Sequence, residues 1–200
     1  MPNWCEDTIT ITGKEVDLIK FLNIGLKSAC RLRIRGLKEG NFDTTRLTLR
    51  SWLPMPDTFS QYDTTNHPNG EGLTVGESCN GRRVDEALIE EYKTATKEQK
   101  EKYGAVGWYE YNCKTIGTKW DAGLDDIYIE HDIDDYWIIT INLSTAWSPC
   151  IPWLRNIYKD YPNLHFYLDY EEYGMGFRGN VEAWAKENIF DEEYEEDKNS

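Results

Sequence analysis

This chain predicts an α+β fold, an antiparallel sheet with helices on one face, and three observations support it. Apolar and polar residues alternate at period 2 in four stretches: around Ile9 and Ile11, around Ile127 and Ile129, through Trp137, Ile139, Ile141 and Leu143, and through Leu164, Phe166, Leu168 and Tyr170. Helical spacing appears twice, in Val16, Ile19, Leu22 and Leu26, and in Ile151, Leu154, Ile157 or Tyr158, and Tyr161. With residues 30–120 set aside, the order is strand, helix, strand, strand, helix, strand, which is the split βαβ order of a ferredoxin-like domain.

Each element has a local reason. Thr8 to Thr12 is a β-branched run stopped by Gly13, and a helix over 14–28 follows it. Residues 31–35 and 45–50 are expected to form a short hairpin. The stretch 54–83 carries Pro54, Pro56, Pro68 and several glycines and is expected to be irregular. Val84 to Tyr103 is a predicted helix whose later, polar part should face water, with Gly104 to end it. Trp108, Tyr109, Asn112, Cys113 and Ile116 predict a second short helix. Strands over 126–131 and 136–144 flank an acidic turn, Asp132 to Asp135. Ser148 as N-cap and Pro149 at the first position start a helix to 161. A strand over 163–170 leads through Gly174-Met175-Gly176 to a last extended piece at 177–186. Residues 1–190 are expected to be one domain with a large insertion at about 30–120, and 191–200 a disordered acidic tail.

Charge narrows the possible functions. Residues 1–120 hold 17 basic and 17 acidic side chains, whereas 121–200 hold 5 and 19, so the whole net charge of −14 belongs to the last 80 residues. That balance argues against a general nucleic-acid coat, which needs clustered Lys and Arg. The carboxylates Asp125, Asp126, Asp132, Asp134 and Asp135 form a candidate surface for a partner protein with a basic face; the plain alternative is solubility. A basic island, Arg31, Arg33, Arg35, Lys38, Arg46 and Arg50, is either a solvated strand face or a contact for phosphate or an acidic partner. No apolar run could span a membrane, and the N-terminus has no secretory pattern. Five widely spaced cysteines are expected to be free thiols in a cytoplasm, without a zinc site.

Motifs for catalysis are missing. Gly174-Met175-Gly176-Phe177-Arg178-Gly179 matches GxGxxG literally, but Glu171-Glu172 would repel pyrophosphate and the following residues read as extended. A bend between strands is expected there, with no cofactor. A metal-dependent hydrolase or nuclease using the clustered carboxylates is kept as a third possibility. Trp4, Lys119, Trp120, Asp121 and Trp147 could instead wall a pocket for a planar, nucleotide-like ligand, or the indoles could plug the core beneath loops.

Several strings together carry a resemblance: Met1-Pro2-Asn3-Trp4-Cys5-Glu6, Trp52-Leu53-Pro54-Met55-Pro56, Gly107-Trp108-Tyr109, Gly117-Thr118-Lys119-Trp120-Asp121, Thr145-Ala146-Trp147-Ser148-Pro149 and Glu171 through Gly176. In this order the chain resembles, from residue 1 to about 180, the YubB-like family with a ferredoxin-like domain, carried by phages and conjugative plasmids. The resemblance implies the same fold and a mobile-element accessory role in a bacterial cytoplasm; it supplies no catalytic residues. The resulting expectation is a non-enzymatic protein that inhibits a host nucleic-acid-handling or defence factor by offering acidic charge, without binding nucleic acid directly.

Overall fold

The computed structural model describes residues 2–29, 36–41, 47–132 and 135–196, and the chain divides into two compact units, 1–53 with 115–200, and 54–114.

The first unit is an α+β ferredoxin-like domain. Strands β1 (Trp4–Lys14), β2 (Gly40–Asn41), β5 (Leu124–His131), β6 (Tyr136–Ala146), β7 (His165–Glu172), β8 (Phe177–Trp184) and β9 (Ile189–Glu196) form one sheet in the order β2-β5-β6-β1-β7-β8-β9. Every pairing in it is antiparallel. Helix α1 (Glu15–Ala29) follows β1 and helix α5 (Ile151–Ile157) follows β6. Both pack on one face: Leu18, Phe21 and Leu22 of α1 and Trp153, Leu154 and Ile157 of α5 join Ile9, Ile11, Ile139, Ile141, Phe166 and Leu168 in one core. This is the alternation read from the sequence, with one set of side chains inward on each strand.

Trp52 locks the core. Its indole donates to the Phe21 carbonyl at 2.8 Å and its ring stacks on Phe21 with centroids 4.9 Å apart. A Cβ at Gly25 would lie 2.5 Å from that ring, so the close approach of α1 requires glycine there.

The unit 54–114 carries α2 (Asp57–Gln61), the two-residue strands β3 (Ser78–Cys79) and β4 (Arg82–Arg83), α3 (Glu86–Tyr103) and α4 (Trp108–Thr115). Asp85 caps α3 by accepting from the Leu88 N–H at 2.8 Å, and Gly104 closes it in the left-handed conformation. Two small cores hold it: Phe59, Ala105 and Tyr111, and Val84, Leu88 and Tyr92.

Five expectations are corrected. The separate unit is 54–114, narrower than 30–120, because Leu47, Leu49, Trp52, Ile116 and Ala122 belong to the sheet's core. Of the expected hairpin, 31–35 and 45–46 lie outside the described residues; Thr48 bridges to Gly123 and Leu49–Ser51 is a 3-10 turn. The later part of α3 is not wholly solvated: Gln99 is buried, accepting from Thr64 Oγ1 at 2.5 Å and donating to the Thr58 carbonyl at 3.0 Å. Ser148 caps no helix, since its hydroxyl donates to the Gly117 carbonyl at 2.6 Å and Cys150 is the N-cap. The tail is not disordered to its start: Asp191 to Glu196 lie in β9, held by backbone pairing to β8 and by Phe190 packing on Tyr158.

Cys5, Cys79, Cys113 and Cys150 are free thiols, and Cys30 lies outside the described residues. Among the described residues no helix is long and apolar enough to cross a membrane.

Candidate functional site

Side chains alternate along a strand, so the inward set of each strand fixes the opposite, outer set. On β1 the buried positions are Cys5, Asp7, Ile9, Ile11 and Gly13; Trp4, Glu6, Thr8, Thr10, Thr12 and Lys14 point the other way. Register carries this across the sheet. Glu6 stands opposite Ser144 on one side and Glu171 on the other, Glu171 opposite Arg178, and Arg178 opposite Glu195. The next row is Asp126, Asn142, Thr8, Asp169, Asn180 and Glu193, and the next Tyr128, Thr140, Thr10, Tyr167, Glu182 and Asp191. Strands lie about 4.8 Å apart, so these carboxylates form one array.

Part of the array lines a cleft of about 540 Å³ that takes in Glu6, Thr8, Asp169, Glu171, Arg178, Asn180, Glu193 and Glu195. Arg178 is its one cation, and Glu195 holds it at 2.8 Å. Two pairs, Glu6 with Glu171 and Glu182 with Asp191, set like charges directly opposite each other. Such pairs destabilise a sheet by roughly 0.2–1 kcal/mol each. The negative face is therefore kept against its own repulsion.

The carboxylates singled out from sequence do not form one surface. Asp126 lies in the second row and Asp125, beside it, accepts from Ser144 Oγ at 3.1 Å where the register slips by a bulge. Asp132 and Asp135 sit at the other end of the β5–β6 hairpin, about 20 Å away at 3.3 Å per residue. Asp134 lies outside the described residues. Glu6, Asp169, Glu171, Glu182, Asp191, Glu193 and Glu195 were missed as a group. Alternation within each strand carries part of that signal, but register between strands does not appear in the sequence.

The aromatic set is brought to one end of the sheet. Trp4 pairs with Ala146, and the Trp147 N–H donates to the Asn3 carbonyl at 3.0 Å. Thr118 accepts from the Ala146 N–H and donates to the Ala146 carbonyl, both at 3.0 Å, which docks 117–121 beside 145–149. Three of the strings that carry the sequence resemblance therefore meet here. Trp4, Trp120 and Trp147 are 51%, 43% and 46% exposed, so none of them plugs the core. Lys119 lies over the Trp120 ring at 5.0 Å. Asp121 is exposed, yet partial desolvation raises its pKa, and its Oδ1 accepts from the Arg50 N–H at 3.1 Å, which ties it to the turn before Trp52. None of the three described clefts includes any of these five residues. Trp147 has φ +73°, a strained conformation for a large side chain, held by the contacts on either side.

The glycine-rich corner is a turn from β7 to β8, as the sequence predicts. Glu172, nearly wholly buried, accepts from the Gly174 N–H at 2.9 Å and the Met175 N–H at 2.5 Å. Those are the backbone donors a phosphate would need, so the corner is filled by its own carboxylate. Gly179 lies within β8, where a Cβ would meet the Glu193 carbonyl at 2.2 Å and the Tyr170 hydroxyl at 2.4 Å.

Beneath this end sits a buried polar group. Asp7 Oδ2 is 2.5 Å from Thr145 Oγ1, which is also 2.8 Å from the Ser148 carbonyl, and the Cys150 N–H donates to Asp7 Oδ1 at 3.3 Å. A hydroxyl has one hydrogen. Both Thr145 contacts are hydrogen bonds only when Asp7 carries a proton and donates it to Thr145. Burial raises Asp7 to about 7, which agrees. Burial, and then Asp7 itself, also push the Cys5 and Cys150 thiols up. Among the described residues no group of three or more His, Cys, Asp or Glu side chains is placed to hold a metal ion.

Residues 126–200 match a protein-family model described as the ferredoxin-like domain in Api92-like protein. A crystal structure of the protein Api92 from Yersinia pseudotuberculosis aligns over 100% of this chain and 99% of its own, with 11% identity and a TM-score of 0.46. No curated protein matches the sequence.

Proposed function

We propose that this chain is a non-enzymatic accessory protein of a phage or conjugative plasmid that acts in the bacterial cytoplasm. It would bind a host nucleic-acid-handling or defence protein and occupy that protein's basic groove. The YubB-like resemblance supplies the mobile-element setting. The observation that carries the mode of action is the outer face of the sheet, where rows of carboxylates run across the strands at the spacing of the sheet itself. An array of fixed negative charge attracts a cationic groove at long range and resembles, in charge alone, the nucleic acid that the groove normally holds. Carboxylates accept hydrogen bonds from Arg and Lys as phosphates do.

The test compares the full chain with Glu6→Gln, Glu171→Gln, Glu193→Gln and Glu195→Gln combined. A host protein captured by the parent, whose own nucleic-acid binding the parent blocks in competition, should bind the variant at least about tenfold more slowly at low salt, because steering falls with charge. Association of the parent should also slow as salt rises. Equal association rates for parent and variant would overturn the proposal for this face.

A further inference from the structure

At the end of the sheet opposite Trp4, a second cleft has different chemistry. It holds about 450 Å³ and is lined by Thr12, Lys14, Asp17, Tyr136, Asn163, His165, Trp184 and Lys186. The sheet register builds it: Thr12 stands opposite His165, and Lys14 opposite Tyr136. Its volume lies in the range of small-molecule sites.

Two features set it apart. The last 80 residues have only five basic side chains, yet one of them, Lys186, meets Lys14 here. Neither lysine forms an ion pair with any described residue, although carboxylates dominate the neighbouring face. The acids of the cleft's surroundings have other partners: Asp17 holds Lys20 at 3.1 Å, and Glu182 holds His165 Nε2 at 2.7 Å. The second feature is aromatic. Trp184 lines the cleft with Tyr136, its ring 5.5 Å from the His165 ring, and its buried indole N–H has no acceptor among the described residues.

We infer that this cleft binds a nucleoside monophosphate, its base against Trp184 and Tyr136 and its phosphate between Lys14 and Lys186. Charge stoichiometry selects the monophosphate. Two lysines neutralise a dianionic phosphate, whereas a triphosphate would bring surplus negative charge to a protein of net charge −14. The donors present, two ammonium groups, the Asn163 amide and the Thr12 and Tyr136 hydroxyls, match phosphate and ribose oxygens. The cleft shares no lining residue with the acidic rows, which it touches through the His165–Glu182 contact, and the inference does not depend on the function proposed for them.

The probes are AMP and UMP, with adenosine and inorganic phosphate as part-ligands, titrated into the ¹⁵N-labelled full chain and followed through the indole N–H resonances. Trp184→Phe assigns the reporting resonance. Either nucleotide should move that resonance saturably, each part-ligand should bind at least about tenfold more weakly, and Lys14→Gln with Lys186→Gln should weaken nucleotide binding about tenfold or more. Both lysines are exposed, so the double variant should keep the fold and leave partner capture by the acidic rows unchanged. No saturable shift with AMP or UMP, an unchanged affinity in the double lysine variant, or inorganic phosphate binding as tightly as the nucleotides would each overturn the inference.

Discussion

Glu6 and Asp7 are neighbours on β1 and carry the same functional group, yet they face opposite sides of the sheet. Glu6 is exposed, with Glu171 opposite it and Arg178 one strand further on. Asp7 is 2% exposed, against Thr145, Cys150 and Cys5. Water keeps the first charged and lets the array accumulate; burial makes charge costly for the second, which holds its proton instead. One strand thus presents a charged surface and a neutral joint, and the pleat decides which residue becomes which.

That contrast can be strained from the inside first. Trp153→Ala should cost about 3–5 kcal/mol, since Trp153 is wholly buried and its indole donates to the Leu49 carbonyl at 2.9 Å, an acceptor the truncation would strand. Thr10→Ala, on the outer side of β1, should stay within about 0.5 kcal/mol. Urea titration of both variants checks the difference; equal losses would mean that the two faces are not distinct in energy.

Asp7 sharpens the comparison through pH. The native state keeps this proton up to about 7, while an unfolded aspartate releases it near 3.8. Between these values the native state binds more protons, so stability falls as pH rises. The contribution is fully present below 3.8 and gone above about 7, and amounts to at most about 4 kcal/mol. Asp7→Asn, which cannot ionise and has the same shape, should flatten this fall and be more stable than the parent above pH 7. Parallel stability curves for the two proteins from pH 4 to 8 would refute a neutral Asp7.

The smallest expected effect lies on the outer face. Glu6→Gln removes one of the opposed charges and should stabilise by a few tenths of a kcal/mol up to about 1, more at low salt than at high. Thermal melts at two ionic strengths read it. A loss of stability at low salt would show that the carboxylates do not repel one another.

Much of the fold was legible in the sequence because it rests on local pattern. Alternation marked β1, β6 and β7, helical spacing marked α1 and α5, and the glycines of 174–176 marked the turn into β8. Boundaries and exceptions were less legible where a distant group intervened: the Gly117 carbonyl recruits Ser148 away from capping, and β8 turns the acidic tail into β9.

The candidate sites divide the same way. Sequence by itself determined that the negative charge belongs to the last 80 residues, that the core alternates along the strands, and that no familiar catalytic motif is present. Only tertiary structure decided which carboxylates share a face, because register depends on which strands meet and by how many residues they are offset. It also decided that Asp121 is tied to the Arg50 N–H while Trp4 and Trp147 stay exposed, and that Lys14, Trp184 and Lys186, far apart in the chain, line one cleft. A residue's chemistry is written in its identity, but its charge state and partners depend on the solvent and neighbours that folding gives it.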